Sequence, residues 1–472
     1  MSNQIHIIQN AITTTISEIF RGDFRRICEV KKAVLHLEAI YFCHGTCYLL
    51  KRENMPIKDQ LALYQRIELI PQSTTKFFEN NRECIINNWP EESALAAKPE
   101  ILYDALLASE FCVQPERVGY KIDKVSRDIA GAYYTSSDFS AQITYRALES
   151  YMDRKRRRAI DSDSFACCNE YENITFLDYS CGCGEFLLAV IQYFDNHVLG
   201  YSRKKLATQL RGVDVNPIAL MITIARIVSA VEAEDDENLL REVAKDFIVG
   251  NPLLHSDKIA PLEVRFDNFA LNRLYTETEG INCLELEQQN LVVLGNPPWE
   301  KLRFEERAFF RPVCPAISAI SQKNKREKEI KKLAVNWLEL LEYYQLLQDD
   351  YASVKKEIPK HPLLKVSLVG ELNTYAMFAE LASRLTEKDG FAAIIVKSAL
   401  VTSTCYSSCF RHFVNQGSLS EVFLFDNREK LFQIDSREKF CVLFFGGEHA
   451  GGIKVHYGLT KQEQILSSVP IN

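Results

Sequence analysis

Over the first 120 residues apolar side chains recur every three or four positions, as in "QNAITTTISEIF" and "PEILYDALLASEF", and this spacing predicts helices. From about residue 174 the pattern changes to short apolar runs that each stop at a polar residue. "ITFLDYS" stops at Asp178, "QLRGVDV" at Asp214, "DFIVGN" at Asn251 and "LVVLGN" at Asn296. Between them lie "FLLAVIQYF" and "PIALMITIARIVSAV", long enough for buried helices. "GFAAIIVKS", "EVFLFD" and "KFCVLFF" follow later. Strands apolar on both faces, alternating with helices, predict an α/β doubly wound, mostly parallel sheet. The last two strands have little helix between them, which predicts an antiparallel edge. The pattern divides the chain into a helical region over 1–120 and a second domain over 121–472, with a charged helical insertion at about 300–370.

In such sheets a ligand sits beyond the carboxyl ends of the strands. Those ends carry Asp178, Asp214, Asn251 and Asn296. After Asp178, "SCGCGE" puts Gly182 and Gly184 in a strand-to-helix turn, where glycine lets a ligand approach the backbone. Asp178 and Glu185 flank that turn. Two acids disfavour a pyrophosphate and suit a cationic ligand with an amino group or a sulfonium. Asp214 can accept both hydroxyls of a ribose, or serve the helix start at Pro217 together with Asn216. Asn251 can read an adenine edge or shape the turn before Pro252. Together the strand ends predict an adenosine cofactor.

"GNPPW" at 295–299 ends the fourth run abruptly, because adjacent prolines stop regular structure. An exocyclic amino nitrogen of a base is a poor nucleophile, its lone pair delocalised into the ring. Two acceptors aimed at its N–H bonds would draw it toward a tetrahedral shape. The side-chain carbonyl of Asn296 and the main-chain carbonyl of Pro297 can supply them, with Pro297 and Pro298 holding both in place. Trp299 can stack on a base flipped from a duplex. A rigid turn with a core tryptophan is the plainer alternative.

Charge narrows the partners. The net charge of −7 argues against general coating of nucleic acid but leaves room for a local basic groove. "DRKRRR" at 153–158 and "KNKREKEIKK" at 323–332 are the two basic clusters, each also readable as a solvated face. No apolar run is long enough for a membrane span, and the N-terminus lacks a signal-peptide pattern, which predicts a cytoplasmic protein. The 14 cysteines are irregularly spaced and predict reduced thiols rather than a metal site. Glu29-Val30-Lys31 with Asp23 matches a nuclease triplet by chance, in a helical context.

"DYSCGCGEFLL", "GVDVNP" and "GNPPW" resemble the cofactor and catalytic motifs of amino-group DNA methyltransferases, in particular adenine-specific ones. "GAYYTSSDFSAQITYRALES" is similar to the segment that precedes the glycine turn in the gamma-type arrangement. "LVVLGNPPWEKLRFEERAFF", "GELNTYAMFAELASRL", "GFAAIIVKSALVTSTCYSSCFRHFV" and "FLFDNREKLFQIDSREKFCVLFF" resemble, in order, the catalytic domain of Eco57I-like restriction–modification methylases. The resemblance spans about 97–446. It implies the class I S-adenosylmethionine-dependent methyltransferase fold and S-adenosylmethionine as cofactor. It further implies transfer to adenine N6 in double-stranded DNA with a flipped adenine. By it, Tyr133, Tyr134 and Thr135 line the methionine pocket, Asp178, Gly182 and Gly184 contact the cofactor, Asp214 its ribose and Asn251 its adenine. Asn296, Pro297, Pro298 and Trp299 are catalytic, and Tyr406 offers a second aromatic to the target base.

The sequence departs from that pattern at four places. Tyr179 and Ser136 stand where the family usually has proline, Asn251 stands where it has aspartate, and "VKSA" replaces the common "VPNS". No target-recognition domain or nuclease is evident, so a specificity or restriction subunit is an expected partner. Two other readings stay open. One is a non-catalytic DNA-binding or scaffold subunit; the other is a methyltransferase acting on RNA or a protein amide. A nicotinamide dehydrogenase does not account for the acids beside the glycine turn or for the Asn-Pro-Pro-Trp corner.

Overall fold

The computed structural model describes residues 2–96, 98–122, 135–161, 171, 173–286, 290–387, 389–432, 434–446 and 452–470. Helices from Ser2–Ile19 to Pro99–Leu107 form the N-terminal region. The helix Ile27–Leu49 is buried along most of its length and organises the rest. The region is not helical throughout: β1 (Ser109–Gln114) and β2 (Arg117–Ile122) make an antiparallel hairpin. Its source is the Pro115-Glu116 turn between two runs of strand-forming residues.

The other strands are β3 (Thr175–Asp178), β4 (Leu210–Asp214), β5 (Phe247–Val249), β6 (Asn251–His255), β7 (Gly280–Ile281) and β8 (Leu291–Gly295). They continue with β9 (Phe391–Lys397), β10 (Leu419–Asp426), β11 (Lys439–Phe445) and β12 (Lys454–Leu459). Eight of them form the central sheet in the order β12-β10-β11-β9-β8-β3-β4-β5. Every pair is parallel except those of β11, which runs antiparallel between β9 and β10. From β3 the chain steps outward through β4 and β5, then returns to place β8 on the other side of β3. This strand order is that of the class I S-adenosylmethionine-dependent methyltransferase fold. The central strand β8 is buried at every position, as expected of a strand covered on both faces. The expected antiparallel pairing is made by β11, inside the sheet between β9 and β10, while the edge strand β12 is parallel to β10.

The run "DFIVGN" does not carry its strand to Asn251. Strand β5 stops at Val249, and Asn251 opens β6 in a separate pair with β7. The buried Arg265 explains the break. Its guanidinium donates to the carbonyls of Val249 and Gly280, the latter at 2.9 Å. A Cβ at Gly250 would lie 2.5 Å from that guanidinium, so only glycine lets the chain turn there.

The insertion is helical, with Glu306–Val313, Lys323–Asn336 and Leu338–Glu357 as its main elements. It leans on the N-terminal region: the Trp337 indole donates to the Arg25 carbonyl at 2.6 Å. The cluster at 153–158 has a structural member. Arg154 is buried and donates to the carbonyls of Asp389 at 2.7 Å and Gly390 at 2.8 Å, and to that of Gly446. These carbonyls lie where β9 begins and β11 ends, at the opposite end of the sheet from Asn296. No helix among the described residues is long and apolar enough to cross a membrane.

Candidate functional site

The glycine turn is held from one side by a single helix. Gly182 and Gly184 both have positive φ, +51° and +84°. A Cβ on Gly184 would lie 2.7 Å from the Thr223 methyl, so glycine is required twice over. Thr223, on the buried helix Pro217–Ala230, donates to the Gly182 carbonyl at 2.7 Å. Arg226, one turn later, donates to the Cys183 carbonyl and pairs with Glu185 at 2.7 Å. That pairing changes the reading of the turn. Glu185 is compensated by Arg226, so the acids that bear on a ligand here are Asp178 and Asp214.

Both of these carboxyls sit at the ends of their strands. Asp178 accepts from the Ser180 amide at 3.0 Å and is 2% exposed. Burial, with the nearby Asp214 adding to it, pushes its carboxyl up to about 8. Asp214 accepts from the amides of Gly182 and Asn216, each at 2.9 Å. Its carboxyl is also raised, mainly by burial, while the amide bonds pull the other way. Asn216 caps the helix Pro217–Ala230 through the Ile218 amide at 2.9 Å. Its side-chain amide donates to the hydroxyl of Tyr103, so the N-terminal region reaches the edge of this half of the site. Asp214 thus serves the turn and stands at a strand end together.

Asn251 is occupied by its own turn. Its oxygen accepts from the Leu253 amide at 3.0 Å and its nitrogen donates to the Leu274 carbonyl at 2.8 Å. The two proline departures have local explanations. The Tyr179 hydroxyl reaches into the core and donates to the Phe378 carbonyl at 3.0 Å. Ser136 starts the helix Ser137–Asp161, its hydroxyl accepting from the Phe139 amide at 3.3 Å.

The Asn-Pro-Pro-Trp corner follows β8 directly beside β3. Gly295 links the two halves: a Cβ there would lie 2.7 Å from a carboxylate oxygen of Asp178. The Asn296 amide donates to the Thr135 hydroxyl at 3.2 Å, across 161 positions of sequence. Thr135 is therefore at the corner, whereas Tyr133 and Tyr134 lie outside the described residues. Trp299 is 5% exposed. Its indole N–H donates to the Ile395 carbonyl at 3.4 Å. Phe432 stands edge-on to it at 5.3 Å and Phe440 stacks at 6.2 Å. Little of the face expected to meet a base is open in this structure. Tyr406 is also buried and edge-on to Tyr375 at 5.7 Å.

Phe432, Thr223 and Arg226 were not singled out from the sequence. Phe432 lies in the segment between β10 and β11, whose charged residues hide one aromatic. The helix residues left a clearer trace: Asn216, Thr223 and Arg226 recur at seven and three positions, a polar line on an otherwise apolar helix. Among the described residues no group of three or more histidine, cysteine or acidic side chains is placed to hold a metal ion.

No protein-family model matches the chain, and no curated protein does. Solved structures give faint likenesses. The DrdV–DNA complex matches at 12% identity and TM-score 0.48, covering 99% of this chain and 46% of that one. The Type ISP restriction–modification enzyme LlaBIII bound to DNA matches at 10% and 0.48, covering 99% and 30%. A candidate class I S-adenosylmethionine-dependent methyltransferase of Listeria monocytogenes matches at 11% and 0.37, covering 99% and 97%. The chain thus spans less than half of DrdV and about a third of LlaBIII. At these identities and TM-scores they add nothing to what the strand order establishes.

Proposed function

We propose that the chain is the catalytic part of an S-adenosylmethionine-dependent DNA methyltransferase that modifies adenine N6 in a restriction–modification or related system. The observation that carries this reading is the Asn-Pro-Pro-Trp corner at the carboxyl end of β8, in contact through Gly295 with the acid that ends β3.

The residues present fit the cofactor. Asp178 is a buried and Asp214 a half-buried carboxyl, both with raised pKa, and a ligand bearing positive charge relieves the cost of ionising them. The positive-φ glycines leave the turn without side chains where a ligand approaches. Asp178, Gly182, Gly184, Asp214 and Thr135 would hold the cofactor, with Tyr133 and Tyr134 as expected from the sequence. Asn251 would contribute through the shape of its turn, since its amide is engaged. When bound, S-adenosylmethionine supplies an electrophilic methyl group.

The chain's own work lies at the corner. Asn296 and the Pro297 carbonyl accept hydrogen bonds from the target amino group and turn its lone pair outward. No general base is needed until the nitrogen has become cationic. Trp299, packed on Phe432, and Tyr406 are the aromatic side chains that would stack on the flipped base, and Trp299 would have to uncover a face to do so. Sequence choice, and any restriction or specificity subunit, would come from elsewhere.

The test is direct. Incubation with methyl-labelled S-adenosylmethionine and mixed-sequence duplex DNA, followed by digestion to nucleosides, should place label on the adenine amino group. Label on RNA or on protein amides would favour the other methyltransferase readings. Absence of cofactor binding by calorimetry would leave the scaffold reading standing instead.

A further inference from the structure

Two prolines give the corner its direction but leave it unable to anchor itself. Proline fixes φ and carries no N–H, so positions 297 and 298 have no backbone donors, and while Pro298 restricts the ψ of Pro297, the ψ of Pro298 itself is not set by a ring. The orientation of the Pro298 carbonyl must be set from outside. One residue far along the chain does this. Thr374, fully buried at the start of the helix Thr374–Leu385, donates its hydroxyl to the Pro298 carbonyl at 2.6 Å. The Thr374 hydroxyl oxygen accepts from the Glu300 amide at 3.0 Å, and the Glu300 carbonyl accepts from the Thr374 amide at 3.0 Å. A single hydroxyl therefore closes a ring over residues 298–300.

The neighbours of Thr374 extend this grip. Leu302 donates its amide to the Leu372 carbonyl at 2.9 Å, and Lys301 and Asn373 form an antiparallel bridge. Asn373 turns the other way: its side-chain amide donates to the Tyr406 hydroxyl and, at 2.7 Å, to the Glu371 carbonyl. One tripeptide, Leu372-Asn373-Thr374, thus touches the backbone after the two prolines and the hydroxyl of Tyr406.

We propose that this tripeptide is the jig of the site, with Thr374 a positioning residue for the corner and Asn373 for Tyr406. The inference rests on the reading of Asn296 to Trp299 as catalytic. Thr374 touches neither the cofactor turn nor, by its burial, any substrate. It acts by fixing where the Pro298 carbonyl points and hence the backbone that carries Pro297 and Trp299.

The experiment compares Thr374→Val, which keeps the shape and removes the hydroxyl, with Thr374→Ser, which keeps the hydroxyl. Threonine and valine differ in polarity rather than size, so the pair isolates the bond. Hydrogen exchange of the peptide containing Glu300 is measured in each, alongside transfer kinetics and cofactor affinity. Thr374→Val should speed exchange at Glu300 by about fivefold or more, the worth of one hydrogen bond. It should lower kcat by about a hundredfold, the cost of a small misplacement of reacting groups. KM for DNA and cofactor affinity should stay near wild type, and Thr374→Ser should restore both exchange and kcat. Unchanged exchange in Thr374→Val overturns the proposal, and so does a Thr374→Ser protein as impaired as the valine one. If Thr374→Val does not fold, Thr374→Ala is read by the same exchange measurement. A wild-type protein with Glu300 protected and no transfer activity would defeat the methyltransferase reading while leaving the clamp intact.

Discussion

The two halves of the site are held by different kinds of force. Around the glycine turn the governing groups are charged. Two carboxyls stand at neighbouring strand ends, Asp178 buried and Asp214 half-buried, and both resist ionisation. At the Asn-Pro-Pro-Trp corner the contacts are neutral hydrogen bonds and ring packing, made within the fold. The first half holds two carboxyls for which ionisation is costly. The second is fastened by bonds within the fold, with Trp299 packed against Phe432 and Phe440. Two neighbouring parts of one site are therefore built differently: one holds carboxyls that resist charge, and the other holds geometry.

The sharpest break between them is Asn296→Ala. It should abolish methyl transfer while leaving cofactor affinity nearly unchanged by calorimetry; loss of cofactor binding would mean that the halves are one unit.

Asp178→Asn should do the reverse. Removing the carboxylate should weaken cofactor binding by about a hundredfold, the loss of a charge-assisted partner in a buried site. It should also stabilise the ligand-free protein, and the sign can be worked out. A carboxyl whose folded pKa is raised to about 8 keeps its proton after the unfolded chain has lost it. Stability therefore falls as pH rises from the ordinary carboxylate range toward 8, by about 1.4 kcal/mol per unit at most. The gain in Tm from Asp178→Asn should accordingly be larger at pH 8 than at pH 5, and an equal gain at both would contradict the raised pKa. Gly295→Ala forces a methyl against the same carboxylate and should damage both halves together.

The same proton gives a milder test. Binding a cation must expel it below pH 8, so cofactor affinity should rise with pH by up to about tenfold per unit and level off above 8. A flat profile from pH 6 to 8.5 would show that Asp178 is already ionised in the free protein.

The smallest effect concerns the insertion. On the helix Lys323–Asn336, Arg326, Ile330 and Leu333 face inward, while Lys325, Lys328 and Lys331 are exposed. The cluster at 153–158 is partly spent on Arg154 at the far end of the sheet. A triple Lys325→Glu, Lys328→Glu, Lys331→Glu protein should bind duplex DNA more weakly, with a salt slope reduced by up to about 0.9 for each phosphate that is no longer neutralised. An unchanged slope would make this face merely solvated.

The sheet was legible in the sequence because buried parallel strands read as apolar runs, and the runs that stop at Asp178, Asp214 and Asn296 do so where the fold ends a strand on one side of the sheet. The corner was legible for the same reason, two prolines after a buried strand. What could not be read were contacts made across long separations. Nothing near Asn251 announces that Arg265 ends its strand, and nothing near Glu185 announces Arg226. Thr374 lies 76 positions from the carbonyl it holds. Such partners are chosen by the packing of whole elements, which local periodicity does not encode. Hairpin β1–β2 was hidden differently, as two short strands at the close of a long helical region.

The bridge between Lys301 and Asn373 has a meaning for how such a chain can change over evolutionary time. It fastens the two ends of the insertion at its neck. Once a loop's ends are pinned, lengthening it costs little, about 0.6 kcal/mol for each doubling. Whatever grows or shrinks between residues 303 and 371 does so beyond a closed gate, and the machinery on the other side need not feel it.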